Sequence, residues 1–599
     1  MTYLPDVVRP LPYGCWFGAG CRGEDVEIPV AARWDEGAIA EQSSTGTREW
    51  TTNGVGSLNM LNSIEHRVTA RKVRIDAAEE DFLQANPVHA NNGDEARYAN
   101  KLGTSTKGLA HDPTTGEVIP AAYAALMSAL RSGRSTDFDA LASNGALGCS
   151  DPTKRRRFVN PQAAYAFDLE GIDSHQLTMP PAPAFASAQE AGEMVELYWM
   201  SLLRDVDFAN YGTDAGASAA AADLSKLSDF RGPKVGGKVT PQTLFRDEYP
   251  GCMTGPYISQ FLLQPVNFGA QRIDTTILTN KKGVDFNTTF ADWLSVINGC
   301  QPTKSAAIGT GPRVFCHNGR AIGQYVHTDF LFQAYFVACV NLLGGTDGAA
   351  YPADAGNPYG QFIDNTGTGL PLPAGLSGSP ADIGFGTFGA PAIATFVCEP
   401  ATRALKHQWY QKWLVHRRLR PEEFGGHVEV QRLGHATYPF HPDLFSSSVL
   451  AGPKGIFATF GSHLLPVAFP EGSPLHTAYG SGHATVAGAC VTMLKWFFDE
   501  SAIIKNPVVP DPADPTKLIP YVAPSGEAKL TVGGELNKLA SNISQARNIA
   551  GVHWRTDANE ANKLGEAVAI AMLEELGRLF NEPYSGFSMT RFDGTTITV

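Results

Sequence analysis

No uninterrupted apolar run approaches the roughly 18 residues that a membrane span needs. The opening MTYLPDVVRP has no basic segment leading into an apolar one, so it does not read as a secretory signal. A cytoplasmic protein is the favoured expectation, and an already removed leader stays open. No CxxC pair marks a zinc site. The nine cysteines are scattered, and an odd number cannot pair completely within one chain. Cys15 and Cys21 could close a small disulfide loop; free buried thiols in a reducing compartment are the other reading. Positive charge is short: Lys and Arg number 47 against 60 Asp and Glu, for a net charge of −13. That balance offers no basic nucleic-acid surface and repels phosphate backbones. An anionic substrate would need a local pocket of positive charge. Repeats of fixed period are absent, and sustained period-two strands are scarce.

What is present reads as a mostly helical globular chain. Hydrophobic residues make up 43% and charged residues 18%, ordinary for a folded protein. At 599 residues the chain exceeds the size, about 250–300 residues, at which single cores stop growing, so two bodies are expected. Residues 1–120 are rich in Gly, Asn and Thr and read as loops and short helices that wrap a larger body or reach a partner subunit. Ser187 and Glu190 have capping-box spacing at the start of the first strong helix. Met194, Leu197, Tyr198, Leu202 and Val206 follow at intervals of three and four. His327 to Leu343 reads as a helix apolar nearly all round, and so central. The Gly/Pro/Asp-rich stretch 344–385 separates residues 121–385, a first helical bundle with its connecting loop, from a second bundle over 386–599. Asp347, Asp354 and Asp364 lie in or near that stretch. They could hold a structural calcium, which prefers several oxygens, although solvated turn aspartates are the commoner case. Further helices are expected near 401–418, 481–498, 535–549 and 558–580.

Three segments of the second body carry charge in a suggestive order. The first runs from Lys412 to Arg420-Pro421, the second from His476 through Gly480-Ser481-Gly482-His483, the third from Arg547 through Gly551-Val552-His553 to Asp557. Singly each residue has an ordinary use: a solvated basic helix end, a helix N-cap at Ser481, a satisfied histidine. Together they describe an anion site. Lys412 and Arg420 are eight residues apart, a little over two helical turns, and lean toward one point if the helix persists. Pro421 then stops that helix. Ser481 and Gly482 open an apolar helix whose unpaired N–H groups form an oxyanion cradle. Arg547 adds a planar fork suited to oxyanion oxygens. Gly551 is placed to break its helix and turn His553 back toward the anion. Asp557 can hold the other imidazole nitrogen of His553, and can equally cap the next helix. Trp409, three residues before Lys412, should share its face and overlook the pocket, unless it simply fills core space.

This order resembles the signature shared by vanadium haloperoxidases and the related histidine acid phosphatases. Gly480 stands where that signature has proline, and Ala546 where it has serine. GEMVELYWMSLLRDVDF near residue 200, HTDFLFQAYFVACV near 330 and the chain length resemble the algal and cyanobacterial bromoperoxidase branch. The resemblance implies an all-α fold of two four-helix bundles with a loop-rich N-terminal extension, a vanadate cofactor and a homo-oligomer. It makes His553 the axial vanadium ligand. Lys412, Arg420, Arg547, Ser481 and Gly482 then neutralise the oxyanion, with His483 beside it. His483, Lys412 and His476 are the candidate catalytic residues: His483 as acid–base group, Lys412 to polarise peroxide, and His476 as the extra histidine of the bromoperoxidase branch. The implied substrates are hydrogen peroxide, a halide (bromide first, then chloride or iodide) and a small organic acceptor. A phosphatase with His553 as nucleophile and His483 as acid is the alternative, disfavoured by chain length and by His476. A non-catalytic oxyanion scaffold would leave His483, His553 and Asp557 without a purpose.

Overall fold

The computed structural model describes residues 51–53, 57–59, 63–306, 308 and 311–599. Cys15, Cys21 and the start of the expected N-terminal segment lie outside the described residues. Helices among the described residues include α1 Ser63–Leu83, α2 Pro120–Ser132, α3 Ala188–Leu202, α4 Gly319–Tyr325, α5 Gln333–Val340, α6 Glu399–Tyr410, α7 Pro421–Arg432, α8 Gly482–Phe497, α9 Val532–Ile549 and α10 Arg555–Leu576. Strands among the described residues form four separate two-stranded antiparallel hairpins. The chain is all-α in class.

Local chemistry explains most of the boundaries. The Ser187 hydroxyl accepts from the Glu190 amide and starts α3 as the spacing predicts. The Thr531 side chain accepts from Gly534 N and starts α9. The expected helix at His327 begins only at Gln333. The residues before it form turns that leave Phe330 76% exposed, while Tyr335, Ala338 and Cys339 of α5 are buried. Within the first 120 residues, α1 is a 21-residue helix where loops and short helices are expected. Its Ala, Arg, Lys and Glu are good helix formers, but from Arg67 onward its side chains are mostly exposed. With no buried stripe, periodicity has nothing to reveal.

Helix α8 is the axis of the C-terminal half. Every residue of it except His483 is buried, and it packs against α10, α9 and α6. Contact with α10 is close because Gly488 and Gly565 face it from either side. A Cβ at Gly488 would stand 2.0 Å from the Asn562 carbonyl oxygen, and one at Gly565 1.9 Å from that of Thr485. The main apolar core joins Met194, Leu197 and Tyr198 of α3 to Val486 and Leu494 of α8 and Leu536 of α9. It therefore runs across the 344–385 stretch, and α3 and α4 both pack on α9.

Cys149 and Cys300 form a disulfide, a pair that neither cysteine expectation includes. Cys252, Cys316, Cys339, Cys398 and Cys490 are free. The basic run Lys154–Arg157 qualifies the charge argument. Two of its members are committed internally, Arg155 to the Cys149 carbonyl and Arg156 to that of Glu471, each at 2.8 Å. Asp347, Asp354 and Asp364 each accept from a backbone N–H two residues on, as turn aspartates do. Among the described residues no three His, Cys, Asp or Glu gather as metal ligands, and no helix is long and apolar enough to cross a membrane.

Candidate active site

The segment from Lys412 to Arg420 is not one helix. After α6 a π turn covers Gln411–His416, Arg417 takes a left-handed φ of 46°, and Arg420 is extended (φ −81°, ψ 154°). Pro421 opens α7 instead of stopping a helix. Its fixed φ and missing N–H suit the first helical position, and it forces the residue before it to extend. Glu423 accepts from Arg420 N at 2.7 Å and secures that start. The two cations still meet, because the break folds the chain against residues 476–478. Lys412 Nζ donates to the carbonyls of Thr477 (2.7 Å) and Ala478 (2.9 Å). Arg420 Nε donates to the His476 carbonyl at 2.9 Å.

Arg420 continues into the third segment. Its Nη1 donates to the Val552 carbonyl at 2.6 Å and lies 2.9 Å from His553 Nε2, while Nη2 lies 2.9 Å from His476 Nδ1. Gly551, at φ 83°, breaks the chain after α9 and swings His553 back, as its position suggests. His553 Nδ1 meets Asp557 Oδ2 at 2.8 Å, and the same oxygen accepts from Trp554 N at 3.1 Å. Asp557 thus holds the imidazole and starts α10 at once. With its Nδ1 proton directed at a carboxylate, His553 presents the Nε2 lone pair on the side of Arg420.

Ser481 caps α8, its hydroxyl accepting from Ala484 N at 3.4 Å, and Gly482 follows as the first helical residue. Gly480 has a packing reason to replace proline: a Cβ there would lie 2.9 Å from Ala561 Cβ and 3.0 Å from the Asp557 carbonyl. His483 Nε2 meets Asp329 Oδ1 at 3.0 Å. Arg547 Nη1 donates to the Val326 carbonyl at 2.8 Å, and its guanidinium lies 5.5 Å from the centre of the Phe469 ring. Trp409 covers the other side, 5.8 Å from Lys412 Nζ and 4.8 Å ring to ring from His476. Its Nε1 donates to the Val159 carbonyl. All the candidate site residues therefore belong to one neighbourhood.

Four residues around it carry roles that the sequence alone does not assign them. Asp329 precedes α5, where only an apolar pattern was sought. Arg418 lies inside the first segment, masked by Arg417 and Arg420. Glu190 and Glu193 contact Arg418 from α3. Their signal was available: three glutamates at 190, 193 and 196 on a helix otherwise apolar on that face.

The electrostatics fit an oxyanion. Burial, then Arg420, pulls the Lys412 ammonium well below its ordinary range. Burial also pushes Arg420 down to about 9 and Arg547 to about 10. His553 and His476 are driven well down by burial first, then by the surrounding cations. Burial lowers His483 as well, against the pull of Asp329. Among the described residues no carboxylate pairs with Lys412, Arg420 or Arg547, and Arg547 Nε is buried without a partner. Carboxylates act on them only from beyond ion-pair distance, and cations crowded out of water without a contacting counter-charge are costly unless an anion joins them. Three cations, a helix N-terminus and one histidine lone pair match vanadate, which offers several oxygens and an open coordination position.

Comparison with known proteins agrees. Residues 457–582 match the family model described as the VCPO second helical-bundle domain. The chain is 34% identical to a vanadium-dependent bromoperoxidase of Corallina pilulifera, over 85% of this chain and 94% of that one. It is 32% identical to one of Ascophyllum nodosum, over 88% and 90%. The homohexameric structure of the second vanadate-dependent bromoperoxidase of Ascophyllum nodosum superposes with a TM-score of 0.79 at 27% identity, covering 93% of this chain and 95% of that one. Fold and site together define an all-α oxyanion-binding enzyme, and the chain belongs to the vanadium-dependent bromoperoxidase family.

Proposed function

We propose that this protein is a vanadate-dependent haloperoxidase that uses hydrogen peroxide to oxidise bromide, with chloride and iodide as further halides, to hypohalous acid that halogenates small organic acceptors. The observation that carries the reading is the contact of Arg420 with Nε2 of an Asp557-supported His553, with the Lys412 and Arg547 charges near enough to act on the same ring. Bound vanadate supplies a Lewis acid that activates peroxide while staying oxidised. His553 Nε2 would be its protein ligand. Lys412, Arg420, Arg547, the Ser481 hydroxyl and the Gly482 amide hold the oxyanion's oxygens and spread its charge. One bromide, one peroxide and one proton give hypobromous acid and water, so each turnover consumes a proton. His483, held by Asp329, is placed to deliver it. Lys412 would polarise the peroxide. His476, kept neutral between Arg420 and Trp409, orients the guanidinium and meets the incoming halide.

The related Ascophyllum protein is homohexameric, and we assign this chain to a homo-oligomer whose N-terminal segment packs across the subunit interface. The Cys149–Cys300 disulfide favours an oxidising compartment over the cytoplasm. The test is a side-by-side assay after orthovanadate loading: bromide plus peroxide with a halogenation dye, against a chromogenic phosphate ester. Vanadate-dependent bromination that inorganic phosphate suppresses is expected. Ester hydrolysis without bromination would assign the pocket to a phosphatase.

A further inference from the structure

Arg418 is fully buried behind the site and touches neither the anion cradle nor solvent. Its guanidinium is shared among three carboxylates. Nη1 bonds Asp557 Oδ1 at 2.9 Å, and Nη2 bonds Glu193 at 3.2 Å and, more closely, Glu190. The Trp554 ring lies 4.7 Å from the guanidinium carbon and limits its sideways movement. Asp557 is thereby divided: one oxygen faces Arg418, the other faces His553 Nδ1 and Trp554 N. The planar fork fits this division, since it binds carboxylates on separate edges at fixed angles, which an ammonium cannot. A chain of direct bonds therefore runs from α3 through Arg418 and Asp557 to the imidazole nitrogen opposite Nε2. Carboxylates lie behind His553 and cations in front, so the field across the ring favours the proton on Nδ1 and the lone pair on Nε2.

We propose that Arg418 is a positioning residue for vanadate: braced by Glu190 and Glu193 of α3, it fixes the Asp557 carboxylate so that His553 keeps the tautomer and angle a vanadium ligand needs. This rests on the reading of His553 as that ligand. The role belongs to a helix more than two hundred residues away in sequence, and α3 becomes part of the cofactor site without touching the cofactor. It also accounts for burying several carboxylates on one helix, a costly arrangement for packing alone.

The experiment titrates full-length protein with orthovanadate alone, by calorimetry, without peroxide or halide. It uses wild type, Arg418→Lys and Glu190→Gln, with vanadium-51 NMR of the loaded proteins and the melting temperature of each vanadate-free protein. Removing outer-shell support of a metal-bound histidine typically weakens metal binding about 10–100-fold. Arg418→Lys is expected in that range with a displaced vanadium resonance, and Glu190→Gln with a smaller loss of the same sign. Glu190→Gln keeps Arg418 in place, so it carries the test if the lysine variant does not fold. Lower melting temperatures with wild-type affinity and resonance would overturn the proposal and leave Arg418 as packing. Failure of the wild type itself to bind vanadate would overturn the functional reading instead.

Discussion

Trp409 is the residue whose surroundings bear most directly on which halide reacts. Its indole stands over Lys412 and His476, and its own N–H is committed to Val159. The face presented to the site is therefore apolar. An apolar wall excludes water and strengthens the field of the nearby cations on peroxide. Chloride, harder to oxidise than bromide, should depend more on that strengthening. Trp409→Ser is expected to lower kcat/KM for chloride more than for bromide; an unchanged ratio would reduce Trp409 to packing. A second residue-scale expectation concerns acid. Burial pushes His111 down to about 4 and His427 to about 3, from the ordinary 6.5. Both are neutral in folded and unfolded chains above pH 6.5. Below it the unfolded chain binds protons that the folded chain refuses, so stability falls as pH falls, by about 1.4 kcal/mol per group per pH unit. His427→Leu should reduce the loss between pH 7 and 5 by about 2 kcal/mol in urea unfolding of vanadate-free protein. Equal losses in variant and wild type would mean that His427 takes up its proton while folded. Legibility at this scale followed sequence distance. His553 and Asp557 are four apart and readable, whereas Asp329 and His483 meet across 154 residues and Arg418 and Glu190 across 228, where no local pattern links them.

Elements were legible where burial imprints a period or a cap marks an end. Helix α3 begins at the capping residue its spacing names, and α8, α9 and α10 fall within three residues of their expected starts. Reasoning failed where backbone conformation changes without a compositional mark. The π turn and the left-handed Arg417 interrupt a stretch that has no Gly or Pro to mark the break. The spacing argument for Lys412 and Arg420 thus named the right residues through the wrong geometry. Gly551 is the opposite case, a break that its residue type announces. At φ 83° a side chain is strained by roughly 1–2 kcal/mol, and a Cβ would lie 3.0 Å from Val467 Cγ1. Gly551→Ala should therefore destabilise the protein by about that amount and misdirect His553. Vanadate affinity is expected to fall more than the melting temperature accounts for. If affinity stays at the wild-type level, the turn is not what aims His553.

At the scale of the molecule, one face exposes large apolar side chains. Helix α1 meets the body where Arg578 pairs with Glu80 and Gln176 donates to the Asp81 carbonyl, and beside it runs a cavity of about 2080 Å³ lined by Phe82, Phe167, Leu169, Phe396 and Leu579. Phe82 is 80% exposed, Phe167 68%, and Leu169 wholly so. A monomer rarely leaves so much contiguous apolar surface in water. Charge does not forbid self-association there, because Arg74, Arg403 and Arg578 share the lining with Asp81, Glu170 and Glu575. An isologous contact would bring the same mixed patch against itself, and like charge would not dominate it. The proposed vanadate site lies on the π turn after α6, the start of α8, the end of α9 and the turns before α7 and α10, built from residues that do not line this cavity. Assembly and cofactor binding can therefore be separated. The double variant Phe82→Asp with Leu169→Asp places like charges in the apolar lining. Light scattering should show the oligomer dissociating, while orthovanadate still binds the resulting species. A wild-type protein that is monomeric at working concentration would contradict the assembly. A double variant that stays assembled would move the interface elsewhere on the surface.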